Sequence, residues 1–247
     1  MRGFLRLAWT DMKLYVREPV ATFFTLAFPP LLVVLFGSIF GNESSPDIGG
    51  YGAMDYYMPN YTALVLGMVA LTSVPIMMAE NRDRGVLRRF RATPVRPATF
   101  IAADVVCNLS LTLLGVTELL LVGMLVFGAD FFGSAPLFAA AVVLCALSMF
   151  AIGYLIASVV PNARTATVIG MVLLYPMMFL SGSVMPPGVL PEGVQRVAEF
   201  LPLTHIVNLL RGLWFGEALG GFTADIAVIV GVLIVGAALS ARLFRWD

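Results

Sequence analysis

Glu80-Asn-Arg-Asp-Arg-Gly85-Val-Leu-Arg-Arg-Phe90-Arg-Ala-Thr-Pro94-Val-Arg96 decides how this chain is read. Eight of the seventeen residues are charged, six of them arginine, and the segment lies between two long apolar stretches. A central Arg costs roughly 2.5–3.5 kcal/mol to insert into a bilayer, so the segment stays in water while its flanks do not. Its positive sign places it on the cytoplasmic side. Val86, Leu87 and Phe90 share one face of a short helix, with Arg82, Arg84, Arg88, Arg89 and Arg91 around the rest. Pro94 and Pro97 end that helix and launch the next apolar run. An ordinary positive-inside loop explains the arginines alone. It does not call for the embedded acids Glu80 and Asp83, for Gly85, or for an apolar face, and these point to a grip for a soluble partner.

Composition agrees with a membrane setting. Of 247 residues, 60% are hydrophobic and 12% charged, and the mean hydropathy is +0.93. A soluble domain carries about a quarter charged residues, so the chain reads as an all-α integral membrane protein, one domain over 1–247 without internal repeats. Cys107 and Cys145 both fall in apolar runs, which argues against a disulfide framework or a metal site. A single His and the absence of His-Glu-x-x-His disfavour an intramembrane enzyme. The one lysine, Lys13, is not preceded by the glycines of a phosphate-cradling loop, so energy from ATP would have to come from another chain. No cofactor and no nucleic-acid partner are expected.

A span needs about 20 apolar residues, and six stretches qualify: 21–40, 59–79, 98–127, 136–160, 165–184 and 224–243. Pro29-Pro30 in the first predicts a kink or a break. The second is expected to stop at Glu80. Ahead of the first, Met1, Phe4, Leu5, Ala8, Trp9, Met12, Tyr15 and Val16 recur at helical spacing among Arg2, Arg6, Lys13 and Arg17. Residues 1–19 thus read as an amphipathic helix lying at the membrane surface, not as a cleaved signal. The segment 185–222 holds four prolines and is predicted to form short helices at the outer surface, or a re-entrant hairpin. Lys and Arg number thirteen in 1–20, 80–97, the turn at Arg164 and the C-terminus, against two (Arg196, Arg211) on the opposite side. Both termini are therefore expected in the cytoplasm, with the lipid bilayer of the cell membrane as the setting.

The Glu80–Pro94 segment resembles the loop between spans two and three of ABC-2-type transporter permeases, where an acid, a basic cluster, a glycine and Thr-Pro form the coupling helix. Tyr175-Pro-Met-Met-Phe-Leu-Ser-Gly182-Ser-Val-Met-Pro-Pro-Gly-Val-Leu-Pro191 and Leu201-Pro-Leu-Thr-His-Ile-Val-Asn-Leu-Leu-Arg-Gly212 resemble that family's fifth span, its external re-entrant helices and the approach to span six. Arg17-Glu18-Pro19 and Phe28-Pro29 fit its N-terminal pattern. The branch it most resembles is that of the drug-exporter-like permeases.

The resemblance implies a complex of two permease chains, identical or not, with two ABC ATP-binding subunits that hold the ATP and Mg. It implies export of a hydrophobic or amphipathic compound, with spans two and five lining the path. The coupling residues would be Glu80, Arg82, Asp83, Gly85, Val86, Leu87, Arg88, Arg89 and Phe90. Along the path, the candidates are Asn108 and Glu118 of span three, and Met177, Met178, Phe179 and Ser181 at the end of span five. Asp104, Asn108, Gly115 and Glu118 share a face of span three. An intramembrane acid is a functional candidate by default, although a helix–helix contact explains Asp104 as well. Met lines promiscuous pockets, yet it also fills cores. His205, alone without an acid or metal partner in sequence, reads as structural. Two alternatives stay open: a permease for a polysaccharide or lipid-linked glycan, and a proton-coupled secondary carrier using Glu118.

Overall fold

The computed structural model describes residues 12, 15, 22–44, 50–86, 97–184 and 191–243. Six of its helices are long and apolar enough to cross a membrane. The expected interfacial helix of 1–19 lies outside the described residues except for Met12 and Tyr15, both helical. Tyr15 is buried against Cys107 and Leu111 of span three. Its hydroxyl is 2.6 Å from Thr25 Oγ1, and burial pushes the phenol's pKa up.

Span two is the axis of the fold. It runs from Ala53 to Asp83, and 78% of its most apolar window is buried, against 11% for span six. Spans four (Ala135–Val159) and five (Ala163–Leu180) pack along its lower half. Spans one (Phe23–Phe40) and three (Pro97–Phe127) pair beside its upper half, and span six (Thr223–Leu243) lies against span four. One end of the bundle carries Arg82, Arg84 and Arg164; the other carries Glu43, Asp55, Asp130 and Glu217. They are called here the basic and the acidic end.

Span two is longer at both ends than its apolar run of 59–79. Asp55 lies in the first helical turn and is only 6% exposed, which sequence polarity alone would oppose. It is tolerated because its carboxylate is fully engaged. Oδ2 accepts the Gly52 amide at 3.0 Å, and Oδ1 accepts the Asp130 amide at 2.8 Å and Asn42 Nδ2 at 3.1 Å. Asn42 Nδ2 also donates to the Gly128 carbonyl, and Asn42 Oδ1 accepts the Met54 amide. These contacts tie together the acidic ends of spans one, two and three. At the basic end the helix continues past Glu80 to Asp83, so Glu80, Arg82 and Asp83 belong to span two and not to a separate short helix.

The predicted break at Pro29-Pro30 takes another form. Span one stays helical, and a wide turn of π type, Phe23–Ala27, precedes the prolines. Span two repeats the device: Val69–Ser73 is a π turn just before Pro75. A proline supplies no amide to the carbonyl four or five residues back, and the wide turn beside it skips a further bond, which together open Thr25 in span one and Ala70 and Leu71 in span two. Each freed carbonyl lies against a glycine of a neighbouring helix: Thr25 on Gly115, Ala70 on Gly153, Leu71 on Gly170. A Cβ at any of the three would stand inside van der Waals contact with that oxygen. The glycines let the helices close onto these carbonyls, as small residues do between membrane helices.

The 185–222 segment resolves into a short helix, Glu192–Ala198, and a longer one, Pro202–Trp214. The second is amphipathic, and its Leu203, Ile206, Val207, Leu210 and Trp214 are buried against spans two, four and six. His205 is not alone, contrary to its reading from sequence. Its Nδ1 lies 2.8 Å from Asp225 Oδ1 of span six, and its Nε2 lies 2.9 Å from the Glu199 carbonyl. The acid stands twenty residues away in the chain, so sequence proximity could not reveal it.

Candidate translocation cleft and coupling end

A cleft of about 330 Å³ opens between spans one, two and five. Phe24, Met68, Ile76, Met77, Met171, Leu174 and Tyr175 make its walls. Thr72, Ser73 and Thr167 add hydroxyls, and Glu80 is the one charged lining residue. Two of those hydroxyls already serve their own helices. Thr72 Oγ1 donates to the Met68 carbonyl at 2.6 Å and Thr167 Oγ1 to Ala163 at 2.9 Å. What the cleft offers a ligand is an apolar, adaptable surface rich in Met and aromatic groups, with a carboxylate toward the basic end. Met171 and Tyr175 are 43% and 52% exposed, so the cleft also opens away from the body of the protomer.

The structure brings only some of the expected residues together. Glu80 lines the cleft, and its Oε2 accepts from Arg84 Nη2 at 3.1 Å one turn on. That pair is solvent-exposed and contributes little to stability. Beyond span two, Gly85 turns the chain with a φ of 69° that suits a residue without a side chain, and Val86 is helical again. Leu87, Arg88, Arg89 and Phe90 lie outside the described residues.

Arg82, half-buried, and Asp83, exposed at the rim, both reach the turn between spans four and five. Arg82 Nη2 donates to the carbonyls of Ala157, at 3.1 Å, and of Val160. Asp83 Oδ2 accepts the amide of Ala163 at 3.3 Å. A cation thus sits on the C-terminus of one helix and an anion on the N-terminus of the next, as the helix dipoles favour.

The path candidates at the end of span five do not converge. Met177 and Ser181 face the packed interior, Met178 is half-buried, and Phe179 is 47% exposed on the other side. Ser181 Oγ pairs with Ser183 Oγ at 2.7 Å, and the neighbouring Gly182 carbonyl accepts Asn60 Nδ2 of span two at 3.0 Å. In span three, Asn108 Nδ2 donates to the Asp104 carboxylate at 3.2 Å, and Tyr154 of span four donates to the same oxygen at 2.6 Å. Asp104 and Asn108 therefore belong to a contact between spans three and four. Asn108 Oδ1 and Thr112 Oγ1, one turn on, are buried without a hydrogen-bond partner among the described residues. Glu118 is half-buried at the edge between the packed Gly115 and Leu119 and the exposed Leu114 and Leu121. Among the described residues it has no hydrogen-bond or ion-pair partner.

The cleft residues Phe24, Met68, Thr72, Ile76, Met171 and Tyr175 escaped the sequence reading. The helical phase of spans two and five could have suggested a shared face, but not which face meets which.

The chain is similar in sequence to several membrane permeases. Over 246 residues the chain is 24% identical to the daunorubicin resistance ABC transporter permease protein DrrB1 of Streptomyces coeruleorubidus, covering 96% of this chain and 84% of that one. It is 24% identical over 165 residues to the probable multidrug ABC transporter permease YbhR of Escherichia coli K12, covering 66% of this chain and 44% of YbhR. It is 30% identical over 99 residues to nodulation protein J of Rhizobium leguminosarum bv. viciae, covering 40% of this chain and 38% of that protein. The family described as ABC-2 type transporter matches residues 2–215. The chain, a multi-pass membrane protein, belongs to the ABC-2 type transporter family.

Proposed function

We propose that this chain is the membrane-spanning permease of an ATP-driven exporter of hydrophobic or amphipathic compounds. Family membership implies an ABC ATP-binding subunit as partner. That subunit binds ATP and Mg, and this chain binds no cofactor. Two permease chains assemble with two ATP-binding subunits. The basic end faces the cytoplasm, both termini lie there, and the acidic end faces outward.

The observation that carries the substrate class is the cleft between spans one, two and five. Its apolar, Met- and aromatic-rich walls suit an amphipathic compound and offer a glycan few hydrogen bonds. Span two, which lines the cleft, also carries Glu80, Arg82 and Asp83 at its end, so a push on the segment after Gly85 would reach the ligand's surroundings through it. This chain's residues bind and orient the compound, exclude water from it, and move with span two; the ATP-binding subunit supplies the free energy of hydrolysis. Val86, Leu87 and Phe90 form the apolar centre of the dock, and Arg88 and Arg89 its charged rim. Desolvated apolar anchors carry most of such a contact's energy, while rim charges set rate and orientation.

The test is co-purification of the ATP-binding subunit with a Leu87→Asp, Phe90→Asp variant that still inserts. Two buried carboxylates in place of apolar anchors should weaken the complex at least 100-fold, at roughly 2 kcal/mol or more each. Wild-type complex formation in that variant sinks the docking assignment.

A further inference from the structure

The charged run that ends span two has two parts with different surroundings. Arg84 pairs with Glu80 at the surface, whereas Arg82 reaches back into the bundle and Asp83, exposed at its rim, accepts from the first residue of span five. Arg82 Nη2 donates to the carbonyls of Ala157 and Val160, in the last turn of span four and just beyond it, while its buried Nε has no partner among the described residues. Those carbonyls are among the groups that a helix C-terminus leaves without an internal partner. Asp83 accepts the amide of Ala163, the first residue of span five, and Asn162 caps the same terminus by accepting the Thr165 amide at 2.9 Å. Two adjacent residues of span two thus hold both sides of the Val160–Asn162 turn.

The same contacts lie at the basic end of the cleft. Glu80 is one turn before Asp83 on span two, and Thr167 is one turn after Ala163 on span five; both line the cleft. The link between Asp83 and Ala163 therefore joins the cleft's two main walls at that end.

The geometry points to Arg82 and Asp83 as positioning residues that act within the permease and do not touch the partner: they couple the movement of the docked segment to spans four and five and hold the cleft shut at its basic end. This rests on the proposed function, since it takes the segment after Gly85 to be what the ATP-binding subunit moves. A push there displaces the end of span two. With the clamp intact, the span four–five turn follows as one body; with it broken, span two moves alone, and hydrolysis goes on with less transport. The charge-assisted bonds of Arg82 are the stronger part of this contact and suit one that must bear such a load.

The variant that isolates the clamp is Ala163→Pro. It deletes the amide that Asp83 accepts and leaves every charge in place. Proline is tolerated at the first residue of a helix, and Asn162 already has the extended backbone (φ −157°, ψ 168°) that precedes a proline. Arg82→Gln and Asp83→Asn test the other side of the contact. Each is purified with the ATP-binding subunit and spin-labelled through Arg84→Cys and Arg164→Cys, nucleotide-free and trapped with ATP and vanadate. In the parent complex the two labels should keep one narrow distance in both states. In all three variants the partner should be retained at parental stoichiometry while the trapped-state distance broadens or shifts. Export of rhodamine 6G per ATP hydrolysed should fall about three- to tenfold, the net scale of one ordinary hydrogen bond.

Three results overturn the clamp: loss of the partner from Arg82→Gln or Asp83→Asn, which makes them docking residues; an unchanged narrow distance in Ala163→Pro; or a parental distance that itself differs between the states. Failure of the parent chain to bind any ATP-binding subunit would overturn the proposed function instead, so the two failures are distinguishable.

Discussion

Glu118 lies nine residues from the acidic end of span three, about 14 Å at a helical rise of 1.5 Å, and so near the middle of a bilayer about 30 Å thick. A carboxyl there with no partner among the described residues is the natural candidate for a proton site, and it is what a secondary carrier would use. If ATP drives transport, its titration is not the energy input. Glu118→Gln keeps the volume and most of the hydrogen-bonding capacity while deleting the proton. Export by the complex with the ATP-binding subunit should then stay within about twofold of the parent, because a near-isosteric change at a half-buried site perturbs packing little. Transport assays on the purified complex, with and without an imposed pH gradient, check this. Asp104 differs, because Tyr154 and Asn108 hold its carboxylate within a contact between spans. Sequence placed both acids on one face; only packing separates the one that joins helices from the one at the edge.

At the scale of elements, the proline–glycine pairing in spans one and two makes a sharp prediction. Gly153→Ala and Gly170→Ala each put a methyl against a backbone oxygen of the span two π turn, and no side chain there can move aside. Each should destabilise the folded permease by about 1–3 kcal/mol through overpacking, seen as a lower melting temperature in detergent. Gly231→Ala in span six, where a Cβ meets nothing within 4 Å, is the control and should be neutral or slightly stabilising. Six helices were legible in the sequence because long apolar runs leave few alternatives. Their ends were less so. Span two begins six residues early because backbone amides satisfy Asp55, and it ends late because Arg82 and Asp83 find partners on spans four and five. A polarity reading sees a charge and stops the helix; the structure shows the charge used. The π turns left only their prolines as a sequence sign, and the glycines that receive the freed carbonyls lie 83 to 99 residues away along the chain.

At the scale of the whole molecule, the asymmetry of charge makes the topology testable. With the acidic end outward, cysteine at Ser45 or Glu192 should react with a membrane-impermeant thiol reagent in intact cells, and cysteine at Arg88 only after lysis. Cys107 and Cys145 are buried, so the native background should be low. Labelling in the opposite sense would invert the orientation and remove the segment after Gly85 from any cytoplasmic partner. The sequence anticipated spans two and five side by side, which the cleft shows, while the expected charged grip lies mostly outside the described residues. The residues that line the cleft were not legible, because their identity depends on how two helices are rotated against each other.

The central claim is that this permease moves amphipathic compounds only when an ATP-binding subunit hydrolyses ATP beside it. Vesicles containing the chain alone, or the chain with its ATP-binding partner, can be loaded with rhodamine 6G and given ATP or a pH gradient across the membrane. Dye movement should require both the partner and ATP, and should be absent with the chain alone under either condition. Gradient-driven accumulation by the chain alone, lost in Glu118→Gln, would contradict the account and identify a proton-coupled carrier.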